Sequence, residues 1–284
     1  MNYIIFDMEW NQPSDVSTMV CQPIFLTGEI IEIGAVKLDD SFQVMDGLKL
    51  YIKPRYYQKL HRKIAALTGI RDKVLQEQGL EFPEAMRQFR QWCGEDCTWM
   101  TWSTSDLDML TENLLLNGMD VSELPLYCDL QRIFGREIMR EERRHSLEEA
   151  LEVLGERGEP AHDALQDAKN TALVCKHLDL EDYIGEYVCG VYAEPPAGRL
   201  YADRREAAQD ADLQVFGCPI CGAQGSCEPW RFGGFRGQVA LGTCEQAHEF
   251  WVRLTTEQNA RGQHQARRMF FDMSEDLWEL YEEL

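Results

Sequence analysis

The sequence predicts an α/β fold: a mixed five-stranded sheet flanked by helices, followed by a small cysteine-bearing module. Three observations carry this. Three strand-like runs open the chain, helical and strand patterns then alternate, and Cys218, Cys221, Cys227 and Cys244 crowd into 27 residues near the end. A β-meander followed by alternating α and β segments gives a mixed sheet with helices on its faces. With 284 residues, 44% of them hydrophobic, the chain can bury one good-sized core and leave a tail for a second unit.

Taken in order, residues 3–10 (YIIFDMEW) are an apolar run broken by two carboxylates. Residues 30–38 and 43–53 read as further strands, joined by the polar turn Asp39-Asp40-Ser41. Helical periodicity appears at 83–93, a short strand at 97–102, and a helix from about 105 to 117 that Gly118 closes. A strand at 126–130 leads to a helix opened by the capping box Ser146-x-x-Glu149 and ended near Gly155. A last long helix fits 163–178. The predicted boundaries are a main domain at 1–185, a linker at 186–212 containing Pro195-Pro196, a β-like module at 213–256, and an acidic amphipathic helix within 257–284. That helix would carry Met269, Phe270, Met273, Leu277 and Leu280 on one side.

Charge narrows the function. A net charge of −21 excludes a protein held to nucleic acid by a global positive field. Any nucleic-acid role must use local basic patches. One lies between Lys49 and Lys73, where Lys49, Lys53, Arg55, Lys59, Arg62, Lys63, Arg71 and Lys73 face only Asp72; Arg132 to Arg144 is a weaker second. The opening MNYIIFDMEW enters a strand without a basic leader, and no long apolar run follows. Cys21, Cys93, Cys97, Cys128, Cys175 and Cys189 are scattered through core-like segments, as expected of thiols in a reducing compartment. The expectation is a cytoplasmic protein with no membrane partner.

Asp7 and Glu9, two apart on a strand, project from the same face. Their apolar neighbours imply burial, where two unpaired like charges are costly and a hard divalent cation is the economical remedy. The competing reading is a strand end whose acids reach solvent or a basic side chain. Asp106, in TWSTSDLDML, sits where a strand gives way to a helix at the mouth of the sheet; its neighbour Asp108 is a rival, and either could simply favour the helix dipole. His162 stands at a helix start five residues before Asp167, so a neutral imidazole could overhang a metal held by that aspartate and accept a proton.

Together these motifs resemble the DEDDh (DnaQ-like) exonucleases of ribonuclease H-like fold, over roughly residues 1–180, and especially the RNA-processing branch that includes the enhanced-RNAi type. FDMEW is similar to the first motif, TWSTSD to the second, HDALQDAKNTALV to the third, and IEIGAV and LTGI to a second strand and a substrate-contacting turn. The resemblance implies a 3′–5′ exonuclease acting on 3′ ends of single-stranded nucleic acid, RNA slightly ahead of DNA. It implies two Mg²⁺ or Mn²⁺ ions on Asp7, Glu9, Asp106 and Asp167, with His162 as general base. It also implies a terminal-nucleotide pocket from Met8, Trp10, Leu67, Thr68 and Ile70. Tyr56, Tyr57 and His61, interleaved with Lys53, Arg55, Lys59, Arg62 and Lys63, offer a path for the strand. Asn11 departs from the Thr or Ser that many members carry at that point. The alternative reading is a non-catalytic regulatory scaffold.

Cys218-Pro-Ile-Cys221-Gly is a metal knuckle, and Cys244-x-x-x-His248 supplies a second ligand pair. A structural Zn²⁺ on Cys218, Cys221, Cys244 and His248 follows, with Cys227 competing for the place of His248. This zinc-ribbon-like module could grip a single strand through Trp230, Arg231, Phe232, Phe235 and Arg236, or dock a protein partner.

Overall fold

The computed structural model describes residues 2–14, 18, 20, 26–119, 124–141, 143–180, 184, 188–189, 191–193, 197–232, 238–258, 263–273, 275–282 and 284. Cys21, Pro195, Pro196, Phe235 and Arg236, and the side chains of Asp108, Cys189 and Leu280, lie outside the described residues. The chain divides into two compact units, the first closing at Val188 and the second containing Cys189–Leu284.

The first unit is built on β1 (Asn2–Asn11), β2 (Glu29–Leu38), β3 (Val44–Tyr51), β4 (Cys97–Thr101) and β5 (Tyr127–Asp129), in the order β3-β2-β1-β4-β5. A two-residue strand, Val188–Cys189, extends the sheet beyond β5. β1 pairs antiparallel with β2 and parallel with β4, so it is central, and Phe6 and Ile5 pack against helices on its opposite faces. That is why its sequence reads as a nearly continuous apolar run. Ile4, Ile5 and Phe6 are fully buried.

One face of the sheet carries Phe6 and Trp99, which meet Phe89 of α3 (Phe82–Cys93) at ring-centroid distances of 5.8 and 5.3 Å. On the other, Ile5, Val36, Met100 and Cys128 pack with residues of α6 (Leu147–Leu154) and α7 (Ala164–Cys175). The Ser146 side chain caps α6 by accepting from the Glu149 amide, and Gly155 ends it with φ of 71°. α7 crosses β2 so closely that a Cβ on Gly34 would lie 1.9 Å from the Leu165 amide nitrogen. Only glycine fits at this crossing.

The second unit differs from the sequence expectation in two respects. Residues 264–272, expected to be helical, form a strand: β14 (His264–Asp272) pairs over its whole length with β13 (Glu249–Gln258). Its two faces are both buried at Phe270 and Met269, and a strand covered on both sides presents consecutive apolar residues that mimic a helical stripe. The C-terminal helix is confined to Glu275–Glu282. Nor are residues 186–212 a linker. Val191–Ala193 and Leu200–Tyr201 add strands to β14, the short helix Arg204–Ala208 follows, and the sheet has eight strands among the described residues. The module therefore starts near Cys189 and not at 213. No helix among the described residues is long and apolar enough to cross a membrane.

Candidate active site

Central strand β1 sets the site. Asp7 lies opposite Gly34 and Glu9 opposite Glu32, and the register slips between Glu9 and Trp10. Such a bulge re-aims the side chains at a strand end. α4 (Thr104–Leu116) starts at Ser103, whose hydroxyl accepts from the Ser105 amide. Its first turn brings Asp106, 5% exposed, to the strand, where Oδ1 accepts from the Met8 amide at 2.9 Å. That carboxylate meets the residue between Asp7 and Glu9, while the side chain of its rival Asp108 lies outside the described residues.

The close crossing at Gly34 delivers the third element. α7 carries Asp167, whose Oδ2 accepts from the His162 amide at 2.7 Å. His162 is exposed and adopts φ of 69°. Oxygen or nitrogen atoms of Glu9, His162 and Asp167 lie within 4.8 Å of one another, as a shared cation requires.

Burial pushes the Asp7 carboxyl well above its ordinary value, and Asp106, Asp167, Glu9 and Glu32 add repulsion. Burial likewise lifts Glu9 to about 8, helped by Glu32, and raises Asp106 and Asp167. Amides of Met8 and His162 soften the last two shifts. Four hard oxygen donors facing each other under mutual repulsion fit divalent cations of the Mg²⁺ or Mn²⁺ type.

Two neighbours escaped the sequence reading. Glu32, 1% exposed, accepts from the Ala164 amide at 2.8 Å and pairs with Lys49 at 3.1 Å. Lys49 also meets Asp163 at 2.5 Å, so it is not a free member of the basic patch. Asn170, almost fully buried, exchanges hydrogen bonds with both backbone groups of Glu159 and reaches Asp167 at 3.4 Å. The acid at Glu32, set inside the apolar run EIIEIGAVKL, was the available signal.

The expected pocket residues separate. Met8 is buried, and Ile70 belongs to a core cluster with Ile31, Leu60 and Leu75. The Thr68 hydroxyl is engaged in closing α1 (Arg62–Thr68), donating to the Ile64 carbonyl and accepting from the Ile70 amide. Leu67 remains 51% exposed, and Trp10 is half-buried, lying where Gly28 leaves room for its ring. Asn11 is fully buried. Its amide donates to the Tyr57 and Lys59 carbonyls and its oxygen accepts from the His61 amide. Glu29 accepts amides of Arg55, Tyr56 and Tyr57. Tyr57 is buried with its hydroxyl on the Leu26 carbonyl, whereas Lys53, Arg55, Lys59, Arg62 and Lys63 are exposed.

In the second unit, Cys218, Cys221, Cys244 and His248 offer ligand atoms within 4.8 Å of one another. Two tight turns converge. In one, the Gly222 amide donates to the Cys218 carbonyl and Gly222 takes φ of 72°; in the other, the Ala247 amide donates to the Cys244 carbonyl and Ala247 takes φ of 61°. Antiparallel pairing of Gln224–Cys227 with Gln238–Cys244 sets them side by side. His248 Nδ1 is 3.6 and 3.5 Å from the sulfurs of Cys218 and Cys244. Cys227 lies outside this group. Burial acts to raise the Cys244 thiol, but backbone amides of His248 and Gln246 prevail and hold it down at about 7. Three sulfurs and an imidazole at these separations fit a tetrahedral zinc ion.

Acids on a central strand, a helical acid at each flank and a histidine overhanging one of them define a nuclease of ribonuclease H-like architecture. The sequence bears this out more narrowly. It matches the exonuclease family over residues 4–175, and the chain belongs to that family. No curated protein sequence matches it. Among solved structures it is similar to the nuclease domain of 3′hExo, a DEDDh family member bound to rAMP, at 22% identity and a TM-score of 0.53, covering 64% of this chain and 92% of that one. Cell-death related nuclease 4 (CRN-4) gives 19%, 0.55, and 69% of each chain. The zinc-bound E. coli exonuclease I complex with single-stranded DNA gives 14% and 0.52; this chain covers 54% of it, with 86% of its own length. At these identities the structural likeness concerns the fold.

Proposed function

We propose that the protein removes nucleoside monophosphates from the 3′ end of single-stranded nucleic acid, RNA in preference to DNA, with His162 as general base. The observation that carries this is the convergence of Asp7, Glu9, Asp106 and Asp167 with His162 at the end of β1. The bound rAMP of one similar structure and the single-stranded DNA of another support a single strand as substrate. Asp7, Glu9, Asp106 and Asp167 would hold two Mg²⁺ or Mn²⁺ ions, which when bound stabilise charge on the phosphate and the departing 3′ oxygen.

His162 accepts the proton of the attacking water, and its exposure keeps the imidazole accessible to that water. Asp167 fixes the His162 backbone while sharing in the cation site. Leu67 and Trp10 remain available to bear on the terminal nucleotide; Met8, Thr68 and Ile70 act behind them through the strand and turn they belong to. The exposed basic residues between Lys53 and Lys63 guide the strand.

Cys218, Cys221, Cys244 and His248 would bind one structural Zn²⁺. For gripping nucleic acid, Phe232 is the exposed aromatic among the described residues of that unit, at 72%. Arg231 is engaged elsewhere, donating to the Tyr281 carbonyl and stacking on its ring at 4.1 Å. A cytoplasmic location agrees with the buried thiols of Cys93, Cys128 and Cys175.

The test is to incubate 5′-labelled single-stranded RNA and DNA with the protein and Mn²⁺, beside Asp7→Ala. A ladder descending by single nucleotides, faster on RNA and lost by at least about a thousandfold in the variant, is expected. Activity that survives Asp7→Ala refutes the assignment.

A further inference from the structure

We propose that Lys49 is a positioning residue for catalysis: acting through Asp163 and Glu32, it holds the turn that presents His162. This rests on the reading of His162 as general base.

His162 has φ of 69°, a region that costs a residue with a Cβ on the order of 1 kcal/mol or more. The turn persists because its surroundings fix it on three successive residues. The His162 amide is held by Asp167 at 2.7 Å, the Asp163 carboxylate by Lys49 at 2.5 Å, and the Ala164 amide by Glu32 at 2.8 Å. Lys49 joins the second and third of these, since its Nζ also lies 3.1 Å from Glu32 Oε1.

The fold puts Lys49 there by register. It stands on β3 opposite Gly34, the glycine on which the start of α7 rests. Its side chain is only 24% exposed and its ammonium lies 5.2 Å from the Tyr51 ring centroid. Without that charge, Glu32 and Asp163 would face each other as unscreened acids, and Asp163 would be driven from the site. The two oxygens of Asp163 have separate tasks: Oδ1 caps α7 by accepting from the Gln166 amide, and Oδ2 takes Lys49. Removing the charge of Asp163 while keeping a capping oxygen therefore tests the latch without unwinding the helix.

Four variants, Lys49→Met, Lys49→Arg, Asp163→Asn and His162→Ala, with the pair Lys49→Met/His162→Ala, are compared in single-turnover cleavage of a labelled oligonucleotide with Mn²⁺. Thermal melting monitors folding and Mn²⁺ titration monitors metal binding. A displaced base costs roughly a hundredfold, so Lys49→Met and Asp163→Asn should each lower the cleavage rate about that much, with KM and Mn²⁺ affinity within about threefold. Lys49→Arg should recover most of the rate.

In the His162→Ala background, Lys49→Met should change the rate by less than about twofold, because the group it positions is gone. A full additional loss in that background overturns the proposal and leaves His162 as base intact. A rise in KM with unchanged rate overturns it in favour of substrate contact. A selective fall in Mn²⁺ affinity overturns it in favour of an electrostatic role at the cation site. If His162→Ala leaves the rate intact, the general-base reading fails and this proposal falls with it.

Discussion

Among the described residues, ligand groups converge in two places, and these are built in opposite ways. The carboxylate cluster draws on positions 7, 9, 106 and 167, so strand pairing and helix packing across most of the first unit must be complete before it exists. The Cys218–His248 cluster draws on two tight turns within 31 residues. Their electrostatics are also inverted. Burial and mutual repulsion raise the acids, while backbone amides lower the Cys244 thiol against the effect of burial. The first cluster is thus imposed by the long-range fold, and the second is pre-aimed by its own turns.

The sharpest way to break this contrast is to remove a ligand from the second cluster. Cys218→Ser should abolish stoichiometric zinc, measured by atomic emission, and lower the melting temperature of the second unit by about 10 °C or more, since metal affinity there is folding energy. Persistence of both would mean that the eight-stranded sheet stands without its ion.

Next in size is Gly34→Ala. The methyl group would press on the α7 backbone and cost about 1–3 kcal/mol in urea unfolding, with a loss of cleavage rate as Asp167 and His162 shift. A stable variant with full activity would show that α7 does not set the geometry.

The smallest effect is one of sign. Glu9, raised from 4.5 to about 8, contributes stability fully present below pH 4.5 and lost as pH climbs through 8. Metal-free protein should therefore melt at lower temperature at pH 8 than at pH 6, and the gain from added Mg²⁺ should grow over the same interval. Cys244, lowered from 9 to about 7, contributes in the opposite sense, its share lost as pH falls through 7. Scanning calorimetry that follows the two units should show melting temperatures moving in opposite directions.

The same contrast explains what could be read from sequence. The second cluster is local, so spacing alone nominated Cys218, Cys221, Cys244 and His248. The five-stranded sheet was legible because three strand-like runs open the chain and the later strands alternate with capped helices, down to the Ser146 cap and the stop at Gly155. Asp106 was nominated by its motif, but nothing in TWSTSD reveals that its carboxylate meets the Met8 amide. Lys49 read as one more basic side chain, and its ion pairs with Glu32 and Asp163 depend on the β2–β3 register. β14 was misread because a strand covered on both faces has no alternation. Asn11 read as a departure at a substrate contact, whereas it is a buried clasp.

That clasp has a thermodynamic consequence. Asn11 and Glu29, paired across the ends of β1 and β2, supply from their side chains the partners that the loop backbone at Arg55–His61 would otherwise seek in water. The basic residues of that loop are mounted on a backbone already ordered, so a strand passing over them need not repay the roughly 1–2 kcal/mol per residue that ordering a free loop would take. Enthalpy and released counterions can then appear in the measured affinity with little entropic debit from the protein, even on a molecule whose net charge repels its ligand.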